Sequence, residues 1–92
     1  MLGEKDKKEF DKDWRNRGQD EYLIDISLKF VSKYTKFSPE WEHEHCEFCT
    51  SKISEYEGDL HQAYCTKDEK KWICEECFND FKDMFRWKVI EE

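Results

Sequence analysis

The stretch WEHEHCEFC, residues 41–49, decides the fold of this chain. It holds two histidines and three glutamates, and it ends in a C-x-x-C pair, Cys46 and Cys49. A second such pair, Cys74 and Cys77, follows after 24 residues. Two residues between cysteines allow a tight turn to direct both sulfur atoms at one metal ion, and two such turns complete a tetrahedral site. The spacing therefore predicts one structural Zn²⁺ held by Cys46, Cys49, Cys74 and Cys77.

The four predicted ligands favour zinc because thiolates bind it strongly, although iron also occupies sites of four cysteines. Two redox C-x-x-C pairs are the alternative, but such pairs require a thioredoxin-like βαβ context that the chain lacks. Structural zinc contributes about 10–16 kcal/mol in small zinc fingers. A core of this size supplies only about 3–5 kcal/mol. We therefore expect the domain to be unfolded without its metal.

The stretch contains further residues that could bind a metal, more than one tetrahedral site needs. In an extended approach to Cys46, His43 and His45 lie on the opposite side from that cysteine, so we expect both at the surface or beside the site. Two alternatives stay open: a site of three cysteines and one histidine, and a second metal bridged by His43 and His45. We expect His61 in a loop or at a strand end, and Cys65 facing the core or a neighbouring strand.

One enzymatic pattern competes with the structural interpretation. The order H-x-E followed by C-x-x-C resembles the signature of zinc deaminases. The ligands would be His45, Cys74 and Cys77, with Glu47 as proton shuttle. Ile73 replaces the proline of that signature, Cys49 would be unused, and the chain before residue 45 is too short for the sheet of that fold. These departures favour a site that is not catalytic.

The composition indicates a single small domain with an aromatic core. The chain has 92 residues, of which 42% are charged, and it contains seven Phe, four Tyr and four Trp. Neither a signal peptide nor a run of 18 apolar residues is found, so a cytoplasmic protein with reduced cysteines is expected.

Along the chain, the charged residues 1–13 are predicted to be a flexible arm, and residues 14–92 a single domain. Alternating apolar residues from Tyr22 to Tyr34 predict a half-buried strand with a bend or a second short strand. The segment FSPE, Phe37–Glu40, predicts a turn that ends the β segment at residue 40. The zinc module, residues 41–92, then contains a hairpin whose strands are HQAYCT and KKWIC.

The end of the chain predicts an amphipathic helix. Phe78, Phe81, Phe85 and Val89 recur at steps of three and four residues. Glutamates 75 and 76 lie at its start, and Arg86 and Lys88 towards its end, as the helix dipole favours. The overall prediction is an α+β domain with an N-terminal β segment, a zinc knuckle, a β-hairpin and a C-terminal helix.

This order of elements resembles the treble-clef zinc-binding fold, in which the second cysteine pair lies at the N-terminus of the final helix. The resemblance covers roughly residues 41–88 and implies a metal site without implying a function. The segments DWRNRGQDEYL and CEECFNDFKDMFRWK are also similar to a family of small, uncharacterised bacterial proteins. That resemblance implies no activity.

The charge distribution bears on the choice of partner. Residues 1–37 carry nine Lys and Arg against eight Asp and Glu, a net charge of +1, whereas residues 38–92 carry seven against fifteen, a net charge of −8. Four thiolates on one Zn²⁺ add about two further negative charges. Binding to nucleic acid would depend on a small N-terminal group of basic residues, Lys5, Lys7, Lys8, Arg15 and Arg17. Ion pairing within the domain is the simpler role for the two arginines.

A protein partner is the better expectation. The four tryptophans, Trp14, Trp41, Trp72 and Trp87, exceed what so small a core needs. Aromatic side chains left at the surface tend to mark binding sites. We therefore expect an adaptor or regulatory module that binds another protein, with nucleic-acid binding as the alternative.

Overall fold

The fold combines helices and strands in the residues that the structure, a computed structural model, describes, namely 2–35 and 38–90. In chain order the elements are helix α1 (Glu4–Asp11), a 3-10 helix (Gln19–Glu21), strands β1 (Ser27–Val31), β2 (His43–His45), β3 (Lys52–Ser54), β4 (Ala63–Thr66) and β5 (Trp72–Ile73), helix α2 (Glu75–Phe85) and strand β6 (Lys88–Ile90). This confirms the α+β class. No helix in these ranges is long and apolar enough to cross a membrane.

The main sheet has four strands in the order β5-β4-β1-β6. Strand β1 pairs antiparallel with β4, in a register that sets Leu28 opposite Thr66, and pairs parallel with β6. Strands β4 and β5 form the predicted hairpin, with Cys65 opposite Trp72. Strands β2 and β3 form a separate two-stranded hairpin that carries the first cysteine pair in its turn.

Two groups of buried side chains form the core. The larger group joins Leu28 of β1 to the phenylalanines of α2, and it includes Phe48 and Trp87. The smaller group consists of Tyr34, Ile53, Ala63, Cys65 and Trp72, against which Val31 packs. Cys65 is fully buried in this second group, as the sequence predicts. The core is therefore small and aromatic-rich, and Cys46, Cys74 and Cys77 belong to its larger part.

Helix α2 confirms most of the predicted C-terminal stripe. Its Phe78, Phe81 and Phe85 are buried, and the two glutamates begin its first turn. The prediction is wrong for Val89, because the helix ends at Phe85. Arg86 then adopts a left-handed conformation with φ of 56°, and the amide of Trp87 donates to the Lys82 oxygen, as in a Schellman ending. The residues after it form β6, where Val89 is about half exposed.

The N-terminus differs from the predicted flexible arm. Residues 4–11 form helix α1, and Phe10 is fully buried. Its ring makes edge contacts with Phe81 and Phe85, at centroid distances of 5.4 and 5.3 Å. The sequence prediction failed here because a single aromatic among charged residues carries no helical period, although one such side chain suffices to dock a short helix.

The predicted long strand is shorter in the structure. Only Ser27–Val31 is extended, and the chain turns at Asp25, whose φ is 60°. The amide of Asp25 donates to the Phe85 oxygen, and its carboxylate pairs with Arg86, so contacts with the end of α2 set the turn. Tyr22 and Phe30, which alternation places on the inner face, are exposed.

The turn predicted at Phe37–Glu40 is described only in part, since Phe37 lies outside the described residues. The amide of Trp41 donates to the Ser38 oxygen at 3.0 Å, which closes a turn through Pro39. This part of the prediction is confirmed.

Candidate metal centre

The first cysteine pair lies in the turn between β2 and β3. The Cys46 amide donates to the Ser51 oxygen at 2.9 Å, and the Thr50 amide donates to the Cys46 oxygen at 3.0 Å. Between the two cysteines, Phe48 is fully buried and stacks on Phe81 at 4.7 Å. The aromatic ring thus fixes the turn to the core, and Cys46 and Cys49 pack with the same group of buried side chains.

The second pair lies at the start of α2. Cys74 is the N-cap residue, and its sulfur accepts the Cys77 amide at 3.5 Å. Unpaired amides and the helix dipole make this end of a helix favourable for negative charge, and such a position lowers the pKa of a cysteine in general. The sequence therefore places two potential thiolates where the backbone can stabilise them.

The two pairs meet because the chain at Trp72 lies beside the first turn. The Glu47 amide donates to the Trp72 oxygen at 2.8 Å. All four sulfur atoms lie within 4.8 Å of one another, and those of Cys49 and Cys74 are 3.6 Å apart. A tetrahedral zinc site with Zn–S bonds of 2.3 Å has sulfur atoms about 3.8 Å apart. The four cysteines thus form a cluster that could hold a metal ion.

Each sulfur of the cluster also has a hydrogen-bond partner besides the other three sulfurs, which for Cys74 is the Cys77 amide. Cys46 accepts two backbone amides, those of Phe48 and Cys74, each at 3.4 Å. Cys49 lies 3.0 Å from the Ser51 hydroxyl. The fourth sulfur, that of Cys77, accepts from the Arg15 guanidinium at 3.5 Å. Hydrogen bonds of this kind orient thiolate ligands and support their negative charge.

Hydrogen bonds among the three buried thiols favour the negative charge on Cys46. Hydrogen bonds from the Cys74 and Cys77 thiols lower the pKa of Cys46 far below its usual value. The hydrogen bond that the Cys74 thiol donates to Cys46 raises the pKa of Cys74 to about 12. The corresponding hydrogen bond from Cys77 raises the pKa of Cys77 as well. A divalent cation would displace these shared protons, so metal uptake is expected to release protons.

The histidines lie outside the cluster. His45 is exposed and its Nδ1 lies 3.1 Å from the Thr50 oxygen, while His61 contacts the Tyr56 oxygen. The rings of His43 and His45 are 5.0 Å apart. Three or more His, Cys, Asp or Glu side chains that could bind one metal ion come together at one place in the described part of the chain, and that place is the group of four cysteines. Neither the mixed site nor the bridged second metal is assembled.

The deaminase arrangement is not assembled either. Cys49, and not His45, contributes the fourth ligand atom of the cluster. The Glu47 carboxylate accepts a hydrogen bond from the Tyr22 hydroxyl at 3.0 Å. Partial desolvation of this half-exposed side chain, together with the Glu47 carboxylate, raises the pKa of Tyr22 to about 12. Glu47 therefore takes part in a surface contact with the N-terminal segment.

The residues that sequence reasoning missed lie in the segment 13–23. The sequence predicts ion pairing within the domain for Arg15, which its pair with Asp80 agrees with, but it does not predict the contact of Arg15 with Cys77. Gln19 is fully buried, and its amide donates to the Arg15 and Glu47 oxygens at 2.9 and 2.8 Å. The resemblance carried by DWRNRGQDEYL was the one available signal, because it covers this segment without indicating a role for it.

A cleft of about 880 Å³ lies beside the smaller core group. Three lysines and three acidic residues line it, together with four aromatic residues, Phe30, Tyr34, Trp41 and Trp72. Trp41 is 56% exposed, whereas Tyr34 and Trp72 are buried. The Tyr34 hydroxyl is buried and has no hydrogen-bond partner among the described residues.

Comparison with protein-family models, with curated proteins and with solved structures found no match.

Proposed function

We propose that the chain is a small zinc protein whose four-cysteine site is structural and whose fold is of the treble-clef type. The observation that carries this proposal is the convergence of four cysteine sulfurs within 4.8 Å. A knuckle, a hairpin and a helix that begins at the second cysteine pair agree with the treble-clef order. Zinc is proposed over iron because it needs no redox chemistry and four thiolates suit it.

The site supports a structural role better than a catalytic one. Catalytic zinc keeps a coordination position open for water or substrate, whereas here a thiolate is available for each of the four positions. Cys46, Cys74 and Cys77 are buried, and only Cys49 is partly exposed. Access for a substrate to the metal would therefore be poor.

The proposed role is an intracellular adaptor or regulatory module that binds another protein. The cleft supports it, since Trp41 lines it and is 56% exposed, which leaves an aromatic surface at the cleft. A partner could pack an apolar side chain against this ring. Exposed aromatic side chains of this kind contribute strongly to binding when a partner buries them.

Binding to nucleic acid is the less favoured alternative. Lys7 pairs with Asp11 and Asp20, and Lys8 pairs with Glu4. Arg15 is held by Asp13 and Asp80. These basic side chains already face carboxylates, which weakens their attraction for phosphates. The net charge of −7 acts in the same direction.

Metal analysis and ligand substitution test the metal site. The purified protein should contain one zinc per chain, and removal of zinc by EDTA should abolish the folded circular-dichroism spectrum. Cys49→Ser should weaken zinc binding strongly. His45→Ala is the matched control, because His45 would be a ligand only in the deaminase arrangement or in one of the alternatives that use a histidine. An unchanged zinc content in Cys49→Ser together with zinc loss in His45→Ala would reverse the assignment.

A second experiment tests the cleft. Affinity capture from cells that naturally make the protein should retain a protein partner with the wild type and lose it with Trp41→Ala. Trp14→Ala is the control, since Trp14 is 72% exposed but does not line the cleft. If both variants keep the partner, the cleft is not its binding site. Salt-dependent binding to DNA or RNA, without a captured protein, would favour the alternative.

A further inference from the structure

Arg15 has an unusual environment for an arginine of a charged surface. Its side chain is 14% exposed, and its guanidinium lies over the Phe81 ring at 4.4 Å from the centroid. Asp13 receives hydrogen bonds from its Nε and Nη2, and Asp80 receives one from Nη1. The guanidinium is thus fixed by aromatic packing on one side and by two carboxylates in its plane.

This fixed guanidinium is directed at the cysteine cluster. Its Nη1 donates to the Cys77 sulfur at 3.5 Å, across 62 residues of sequence. Within the described ranges, Arg15 is the one cationic side chain that a hydrogen bond joins to a sulfur of the cluster. The Arg15 backbone is fixed as well, because its oxygen accepts from Gln19, which also binds the turn of the first cysteine pair.

The net charge of a metal-loaded cluster explains why the contact between Arg15 and Cys77 would be stabilising. Four thiolates and one Zn²⁺ leave a net charge of −2, and three of the four ligands are buried. Burying charge without a partner is costly. Backbone amides supply only partial positive charge at Cys46 and Cys74, whereas Arg15 supplies a charged group that stays protonated and that the cluster shares with Asp13 and Asp80.

We infer that Arg15 is the built-in counter-ion of the metal centre, a positioning residue that stabilises the metal-bound thiolate of Cys77. The inference rests on the proposed zinc site and goes beyond it. It implies that the N-terminal segment contributes to metal affinity although it contains no ligand. It also makes the cluster asymmetric, since Cys49 is partly exposed and its sulfur lies beside the uncharged Ser51 hydroxyl, whereas the buried Cys77 accepts from a guanidinium.

Two substitutions separate charge from packing. Arg15→Met keeps a long side chain over Phe81 and removes the charge and the donors. Arg15→Lys keeps the charge. Arg17→Gln is the control, because Arg17 is exposed and close in sequence but has no contact with the cluster. Zinc affinity is measured by competition with a chelator, and each variant is first shown to be folded with excess zinc.

We expect Arg15→Met to bind zinc about 10–100-fold more weakly, as for other residues that support metal ligands. Arg15→Lys should recover most of this loss, and Arg17→Gln should bind like the wild type. With Co²⁺ in the site, loss of the hydrogen bond to Cys77 should shift the sulfur-to-cobalt charge-transfer band of Arg15→Met to longer wavelength. A packing role alone would leave that band in place.

The outcomes distinguish this inference from the proposed site. A wild-type protein that takes up neither Zn²⁺ nor Co²⁺ overturns both. If the wild type binds one metal and Arg15→Met binds it equally well with an unshifted cobalt band, only the role of Arg15 is overturned. An Arg15→Lys variant as weak as Arg15→Met also overturns it, since charge would then not be the cause.

Should Arg15→Met not fold, alkylation of the cobalt-loaded wild type supplies a second test. In this reaction the thiolate displaces iodide from iodoacetamide and forms a carbon–sulfur bond. Mass spectrometry should find Cys49 modified first and Cys77 later in the wild type and in Arg15→Lys, which keeps the charge, whereas Arg15→Gln, which removes the charge, should narrow the difference between them. Modification of Cys77 before Cys49 in the wild type would contradict the inference.

Discussion

The side-chain amide of Gln19 donates a hydrogen bond of 2.8 Å to the backbone oxygen of Glu47, within the turn of the first cysteine pair. The same side chain donates to the Arg15 oxygen and accepts the Arg17 amide at 2.6 Å. One buried amide therefore joins the N-terminal segment to the turn that holds half of the cysteine cluster.

Replacing Gln19 by Leu should destabilise the protein by at least about 2 kcal/mol, because a buried polar group left unpaired costs about 1–3 kcal/mol. Urea unfolding in excess zinc measures the change. Gln62→Leu is the control, since Gln62 is exposed, and its effect should stay within about 0.5 kcal/mol. Equal effects at the two positions would show that the buried hydrogen bonds of Gln19 contribute little.

Phe10→Ala should destabilise the protein by about 3–5 kcal/mol, as for other fully buried phenylalanines. The reason is that the Phe10 ring fills a space between Phe48, Phe81 and Phe85. Thermal unfolding with excess zinc measures the loss. Lys8→Ala, on the exposed side of the same helix, should change stability little. A flexible arm would instead make both substitutions neutral.

Thr50→Gly should stabilise the protein. Thr50 has a φ of 66°, a conformation that costs a non-glycine residue roughly 1–2 kcal/mol. Glycine avoids this cost but adds roughly 0.5–1 kcal/mol of flexibility to the unfolded chain. A net gain of about 0.5–1 kcal/mol in the free energy of unfolding is expected. Thr66→Gly, in strand β4, should have the opposite sign, and two destabilising results would contradict the prediction.

Tyr34 should make stability depend on alkaline pH. Burial raises its pKa to about 12 from an ordinary value of 10.0, so the folded state keeps a proton that the unfolded chain loses. This contribution is fully present below pH 10 and is lost as the pH rises towards about 12. Unfolding measured between these two values should show the loss in the wild type and a smaller one in Tyr34→Phe.

The same Tyr34→Phe variant should be as stable as the wild type at neutral pH, or more stable. Its hydroxyl is buried without a partner in the described residues, and removing such a group is favourable or neutral. Tyr56→Phe is the control, because the Tyr56 hydroxyl is exposed and bonded to Glu42. Marked destabilisation by Tyr34→Phe would indicate a hydrogen bond to water.

Local patterns predicted the parts of the molecule that depend on local physics. The two-residue spacing of each cysteine pair identified the four residues that cluster, because a tight turn needs no distant contact. The segments HQAYCT and KKWIC located the hairpin, and the three-to-four spacing located the buried phenylalanines of α2. The end of α2 was missed, since the left-handed Arg86 and the parallel pairing of β6 with β1 depend on contacts with residues 25–29.

By itself, the sequence determined that this protein has an α+β fold with four cysteines spaced for one metal ion. Only the tertiary structure decided that Phe10 belongs to the core, that His45 stays outside the cluster and that Arg15 contacts Cys77. The physical reason is that spacing encodes local geometry, whereas a guanidinium reaches a sulfur 62 residues away only after the sheet and helix have brought both to one place.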